Sequence, residues 1–169
     1  DSSGNDATQV TRTVTVVDTT KPTLTLLGSS SMSVDCNGTY NEPGATASDS
    51  CEGDVSGSIV KGGAIVDPTT PGTYVVSYNV MDSAGNAATQ KTRTVTVVDR
   101  FAPVITLIGG ASLTLECGAS FVDPGKTASD SCDGDLTSNI VVSGDTVNSN
   151  VLGSYTIRYD VEDSAGHSA

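Results

Sequence analysis

Residues 72–98 read GTYVVSYNVMDSAGNAATQKTRTVTVV. An alternating strand, a DSAGN turn and a second strand follow one another, which is the pattern of a β-hairpin. The turn occurs three times, as Asp1-Ser-Ser-Gly-Asn5, Asp82-Ser-Ala-Gly-Asn86 and Asp163-Ser-Ala-Gly-His167, each copy 81 residues from the next. The chain is therefore expected to open within one copy of the hairpin and to stop within another.

A unit of 81 residues is a small domain, and a period of that length divides the 169 residues into two of them. Residues 1–17 read as the last hairpin turn and strand of a preceding repeat, because ATQVTRTVTVV at 7–17 nearly duplicates ATQKTRTVTVV at 88–98. Residues 18–98 form repeat one and residues 99–169 repeat two. Asp18-Thr-Thr-Lys-Pro22 and Asp99-Arg-Phe-Ala-Pro103 are short, Pro-ended linkers that leave neighbouring domains little freedom.

Within each repeat the apolar residues alternate. Tyr74, Val76, Tyr78 and Val80 share one face, as do Tyr155, Ile157, Tyr159 and Val161, while Thr156, Arg158, Asp160 and Glu162 are polar. Period two with one wet face indicates antiparallel sheet. Leu24 and Leu26 do the same in an earlier strand, matched by Ile105 and Leu107. Ser31–Tyr40 reads as the next strand, with Met32, Val34 and Cys36 inward, matched by Leu113, Leu115 and Cys117. Asn41-Glu-Pro-Gly44 then turns the chain back along Ala45–Ser50. About seven short strands per repeat make an all-β sandwich.

The four cysteines obey the same offset: Cys36 matches Cys117, and Cys51 matches Cys132. Of the three pairings four cysteines allow, we expect Cys36–Cys51 and Cys117–Cys132, one bridge per domain. Each would close a loop of about 15 residues, worth roughly 3 kcal/mol in the chain-entropy account, and would imply an oxidising compartment. Zinc is the alternative, but the spacing is not that of a zinc knuckle and His167 is the only histidine.

The formal charge of −12 disfavours nucleic acid and direct insertion into an anionic membrane. The acidic residues gather in turns. Asp49-Ser-Cys-Glu52-Gly-Asp54 and its twin Asp130-Ser-Cys-Asp133-Gly-Asp135 each place three carboxylates in six residues. Hard cations such as calcium take oxygens presented in this way. The plainer reading is an Asx turn, in which aspartate caps backbone amides. Asp99 in the linker and Asp163 in the recurring turn are expected to join the DSCEGD loop, placed at the C-terminal end of its domain, around an interdomain ion. Catalysis lacks its parts: no second histidine, no free cysteine expected and no aromatic-lined groove beside the carboxylates. His167 reads as a surface turn residue. Asn37-Gly-Thr39 matches a glycosylation sequon, read as accidental.

The succession of a Pro-led first strand, GATASDSCEGD (44–54) or GKTASDSCDGD (125–135), PGTYVVSYNVMDSAGN (71–86) and TRTVTVVD (92–99) resembles the bacterial immunoglobulin-like repeat of large secreted and cell-surface proteins. The type also occurs in pesticidal crystal proteins and is similar in spirit to HYR and cadherin-like modules. The resemblance implies tandem Ig-like antiparallel β-sandwiches outside the cell, acting as spacer, stalk or adhesive module, without fixed catalytic residues. The cysteine pair departs from many members. Partners would be neighbouring repeats of the same or an identical chain, with a protein or glycan ligand as the competing role. Repeat two stops before a copy of strand 88–98, while the chain opens with a spare copy at 7–17. One covalent array is the first expectation. Head-to-tail donation of 7–17 into repeat two of a neighbour, building a filament, is the second.

Overall fold

A computed structural model describes residues 2–169; Asp1, the first residue of the earliest turn copy, lies outside them. Among the described residues the regular structure is strand, with two single 3-10 turns. The all-β expectation holds.

The chain divides into two compact units that do not follow the repeat boundaries. The first comprises Asp1–Leu27, Gly44–Gly62 and Tyr78–Lys91. In it β1 (Thr23–Leu26) pairs antiparallel with β3 (Ala45–Asp49), Leu24 opposite Ala47, and β3 pairs with β4 (Gly53–Asp54). Alternation buries Leu24 and Ala47 while their neighbours face water. A 3-10 turn at Ser56–Ser58 follows, where the Ser56 hydroxyl both accepts from the Ala47 amide (2.9 Å) and donates to its carbonyl (3.2 Å).

The second unit comprises Gly28–Pro43, Gly63–Ser77 and Thr92–Ala169. Most of a four-stranded sheet lies here, ordered β2 (Ser31–Asp35), β7 (Lys91–Val98), β6 (Gly72–Asn79), β5 (Val60–Gly63). β6 and β7 are neighbours, as the hairpin reading of 72–98 requires. β7 supplies the most buried side chains, Val95, Val97 and Arg93. The unit also holds the strands of repeat two. β8 (Val104–Leu107), β9 (Lys126–Asp130) and β10 (Gly134–Asp135) repeat β1, β3 and β4, and β11 (Val141–Gly144) pairs with β12 (Ile157–Asp160). Ala128, Leu136 and Val161 form their core, with Ile105 and Ile140 against it. The alternation of 155–162 is as expected: Thr156, Arg158, Asp160 and Glu162 are exposed.

Three expectations are corrected. β2 runs parallel to β7, with Met32 opposite Val95 and Val34 opposite Val97. The chain turns at Gly28 (φ 74°) and passes from one sheet to another between β1 and β2. So β2 and β3 do not form a hairpin, and the register expected to bring Cys36 to Cys51 is absent. Second, residues 7–17 form no strand: Val10, Val14, Val16 and Val17 are exposed. The duplicate at 91–98 is a strand because β2 and β6 flank it, and nothing flanks 7–17 among the described residues. Third, 112–117 forms no strand either, and Leu113 and Leu115 are exposed. Its counterpart β2 leans on β7, and residues 99–169 contain no counterpart of β7.

Two glycines are sterically required. A Cβ at Gly63 (φ 79°) would lie 2.3 Å from the Val75 carbonyl oxygen, and one at Gly144 (φ 89°) 2.3 Å from that of Thr156. These carbonyls accept the next amides, from Ala64 (2.8 Å) and Asp145 (2.7 Å). Gly63→Ala or Gly144→Ala should each cost more than about 1 kcal/mol, read as a lower urea midpoint at unchanged slope.

Candidate functional site

Acidic clusters form in both units. Asp18, Asp49 and Asp82 bring one carboxylate oxygen each to within 4.8 Å of one another. Asp99, the counterpart of Asp18 at the 81-residue offset, does so with Asp130 and Asp133 and, in a separate group, with Asp163 and His167.

Each aspartate is held by its own turn. One Asp49 oxygen accepts the amides of Cys51 (2.7 Å) and Glu52 (3.2 Å), and Asp130 does the same with Cys132 (2.6 Å) and Asp133 (3.0 Å). Asp18 accepts from the Thr20 amide and Asp99 from that of Phe101. The second oxygen of each of these four residues is buried and has no hydrogen-bond partner. Asp49 and Asp130 are 7% and 8% exposed, so more than nine-tenths of each is out of water. An unsatisfied buried carboxylate oxygen is costly. The Asx turn and the ligand cradle therefore coexist in one side chain, one oxygen for each.

The recurring turn closes each cluster. Asp82 accepts the Asn86 amide (2.7 Å) and its side-chain amide (2.9 Å), and the same Asn86 nitrogen reaches the Asp18 carbonyl (3.3 Å). Asp163 accepts the His167 amide (2.8 Å), and the His167 ring Nδ1 lies 3.0 Å from its other oxygen. Burial pushes the Asp82 carboxyl up, but hydrogen bonds from Asn86, Gly85 and Ala84 outweigh it and hold it below the ordinary carboxylate value. Burial is likewise outweighed at Asp163, by hydrogen bonds from His167 and Ala165 and the nearby imidazole. Both are thus set to carry negative charge.

Glu52, Asp54 and Asp135 have other work, as does Asp133 besides its place in the Asp99 cluster. Glu52 accepts from the amide and hydroxyl of Ser83, and Asp133 from those of Ser164 (2.6 and 2.9 Å), so each ties its loop to the recurring turn. Asp54 and Asp135 receive the Ser56 and Thr137 hydrogen bonds that start the 3-10 turns, which lower their carboxyls; they lie outside the clusters. The expected geometry is also corrected. Asp99 meets the loop of the repeat it leads into, and Asp18 meets the DSCEGD loop of repeat one, so that loop sits beside the preceding linker. Asp18 and Asp82 were absent from the sequence-derived set, although their offset from Asp99 and Asp163 would have supplied them. His167 belongs to a cluster, not to a bare surface turn.

The cysteines do not pair as expected. Cys36 is bonded to Cys132, 96 residues away, with 5.5 Å between Cα atoms, and Cys51 and Cys117 are free and exposed. The bridge ties the end of β2 to the DSCDGD loop of repeat two. Beside it the Asn37 side chain donates to the Ser131 carbonyl, and Arg100 pairs with Asp35 and donates to the Ser33 hydroxyl (2.9 Å).

Residues 24–97 and 105–169 match the sequence profile described as bacterial surface protein, Ig-like domain. The chain is 31% identical over 161 residues to the pesticidal crystal protein Cry22Aa of Bacillus thuringiensis, covering 89% of this chain and 21% of that protein. It is 33% identical over 126 residues to an 81.3 kDa protein of Acholeplasma phage L2, covering 72% and 17%. It thus spans about a fifth of the length of these relatives. Among solved structures it is similar to the lipoprotein BT2262 from Bacteroides thetaiotaomicron, with 32% identity, a TM-score of 0.43 and coverage of 48% and 39%.

Proposed function

The chain belongs to the bacterial surface protein Ig-like domain family, and on that premise we propose that it is a non-catalytic rod segment of an extracellular bacterial protein. In this reading a divalent cation, calcium, pins each linker to the repeat it leads into. The supporting observation is the pair of buried, unpartnered carboxylate oxygens on Asp49 and Asp130, each beside a similar oxygen from the linker aspartate, Asp18 or Asp99. Carboxylate oxygens suit a hard cation, and the backbone carbonyls of tight turns and water complete such shells. The ion would relieve both the repulsion among the carboxylates and the unmet hydrogen-bonding capacity. Its consequence is mechanical: each linker is held against the repeat that follows it. Among the described residues no helix is long and apolar enough to cross a membrane.

Calorimetric titration with calcium should give two sites per chain. Asp49→Asn and Asp130→Asn should each remove one. Calcium at 100 times its dissociation constant should stabilise a repeat by about 2.7 kcal/mol, seen as a higher melting temperature that a chelator reverses. Absence of binding heat together with melting that ignores the chelator would sink the cation reading.

A further inference from the structure

We propose that Asp99, Asp163 and His167 form a site for a divalent transition ion such as zinc, and that repeat one, with asparagine in place of the histidine, does not share it. The inference rests on the cation reading only in taking Asp99 as an ion ligand. It adds a second class of ion and confines it to one repeat. The three side chains each offer an atom within 4.8 Å of the other two. They come from the linker and from both ends of the recurring turn, Asp163-Ser-Ala-Gly-His167. At the 81-residue offset Asp99 and Asp163 match Asp18 and Asp82, whereas His167 stands where repeat one has Asn86.

Ligand chemistry separates the two repeats. Asp18, Asp49 and Asp82 offer carboxylate oxygens only, the donor set of calcium. The Asn86 side-chain nitrogen donates to Asp82 (2.9 Å) and to the Asp18 carbonyl (3.3 Å), tying turn to linker directly. An amide nitrogen donates hydrogen bonds and offers no lone pair to a metal. An imidazole nitrogen does, and imidazole suits zinc, copper and nickel. The His167 Nδ1 already lies 3.0 Å from the Asp163 Oδ2. Two ligands of one tetrahedral zinc, each bound at about 2.0–2.1 Å, stand roughly 3.3 Å apart. The pair therefore needs little rearrangement to share an ion, with Asp99 and a water completing the shell. Such an ion would make in repeat two the turn-to-linker tie that Asn86 makes in repeat one.

Burial points to an ion rather than to an acidic turn alone. The Asp99 Oδ2 is buried without a hydrogen-bond partner, and so is the Asp130 Oδ2, on a residue 8% exposed. Asp99 belongs both to the group with Asp163 and His167 and to the group with Asp130 and Asp133. The unmet acceptors thus gather round one carboxylate, whose two oxygens can serve both groups. An unpartnered buried carboxylate oxygen is costly, and a cation relieves that cost. Asp163 is 7% exposed, whereas the His167 side chain is 36% exposed, so the ring side of the group gives an ion its way in from solvent.

The test titrates the full chain with zinc chloride and follows the imidazole by NMR. His167 is the only histidine, so its ring signals report this site and ignore zinc taken by the exposed thiols. Zinc should shift them saturably, with one ion per ring. Asp99→Asn should weaken that binding by about 100-fold or more, beyond the 10–100-fold that loss of a group merely supporting a ligand costs. The reciprocal chain, Asn86→His with His167→Asn, moves the sole histidine to repeat one beside Asp82 and Asp18, and its ring should then bind zinc in the same way. It should still give two calcium sites by calorimetry. A ring that zinc leaves unmoved, an affinity that Asp99→Asn changes less than tenfold, or a reciprocal chain whose ring ignores zinc would each overturn the proposal. Calcium binding with an unmoved ring overturns this inference alone; a zinc-shifted ring without calcium heat overturns the calcium reading and supports this one.

Discussion

Cys36→Ser should lower the stability of the second unit by about 4–5 kcal/mol, the chain-entropy value for a loop of nearly 100 residues. The bridge spans 96 residues and joins the end of β2 to a loop of repeat two. Without it the unfolded chain regains the freedom of that whole loop, and the remaining ties at this place are the Asn37 and Arg100 contacts. Surface ion pairs of the latter kind contribute about 0–1 kcal/mol, too little to compensate. Cys132→Ser should match Cys36→Ser. Cys51→Ser and Cys117→Ser should leave the denaturant midpoint unchanged, because both thiols are exposed and unbonded. Had each domain carried its own bridge, all four substitutions would behave alike. Denaturant titrations of the four variants separate the two arrangements directly.

Glu42→Ala should cost about 3–5 kcal/mol, the usual penalty for stranding one member of a buried ion pair. Arg93 is fully buried on β7, its Nη1 pairs with the Glu42 carboxylate, and its Nε donates to the Ser29 carbonyl at 2.9 Å. Tyr40 also donates to Glu42, and burial raises its hydroxyl pKa against the opposing pull of Arg93. Removing the carboxylate takes from the buried guanidinium the anion it pairs with. The charge has to be desolvated on folding with little return. Replacing both members by apolar residues, Glu42→Leu with Arg93→Met, should recover most of the loss. Thermal melting of the single and double variants reads this out. A Glu42→Ala variant as stable as wild type would show that the pair carries no such weight.

The two substitutions probe features that the sequence disclosed unequally. Strand β7 was legible at once, because TVTVV alternates and recurs, and the hairpin with β6 followed from the DSAGN turn. The acidic loops were legible as loops, and the repeat pointed to their aspartates. Their true neighbours were not. Whether Asp99 meets Asp54 or Asp130 depends on which end of a sandwich each loop occupies, and a strand's alternation does not encode which sheet it joins. The same gap misdirected the cysteines. Placing Cys36 opposite Cys51 required β2 and β3 to be a hairpin, yet the turn at Gly28 sends β2 to lie parallel to β7.

The sequence by itself determined the period, the all-β character, the inward faces of β6 and β12 and the family. These are local or repetitive properties, carried by side-chain alternation and turn residues within a few positions of one another. Tertiary structure decided the Cys36–Cys132 bridge, the convergence of linker, loop and turn aspartates, and the failure of 7–17 and 112–117 to form strands. Those depend on partners tens of residues away. The identical TRTVTVV segment shows why: flanked by β2 and β6 at 92–98 it is a buried strand, and unflanked at 11–17 it is not.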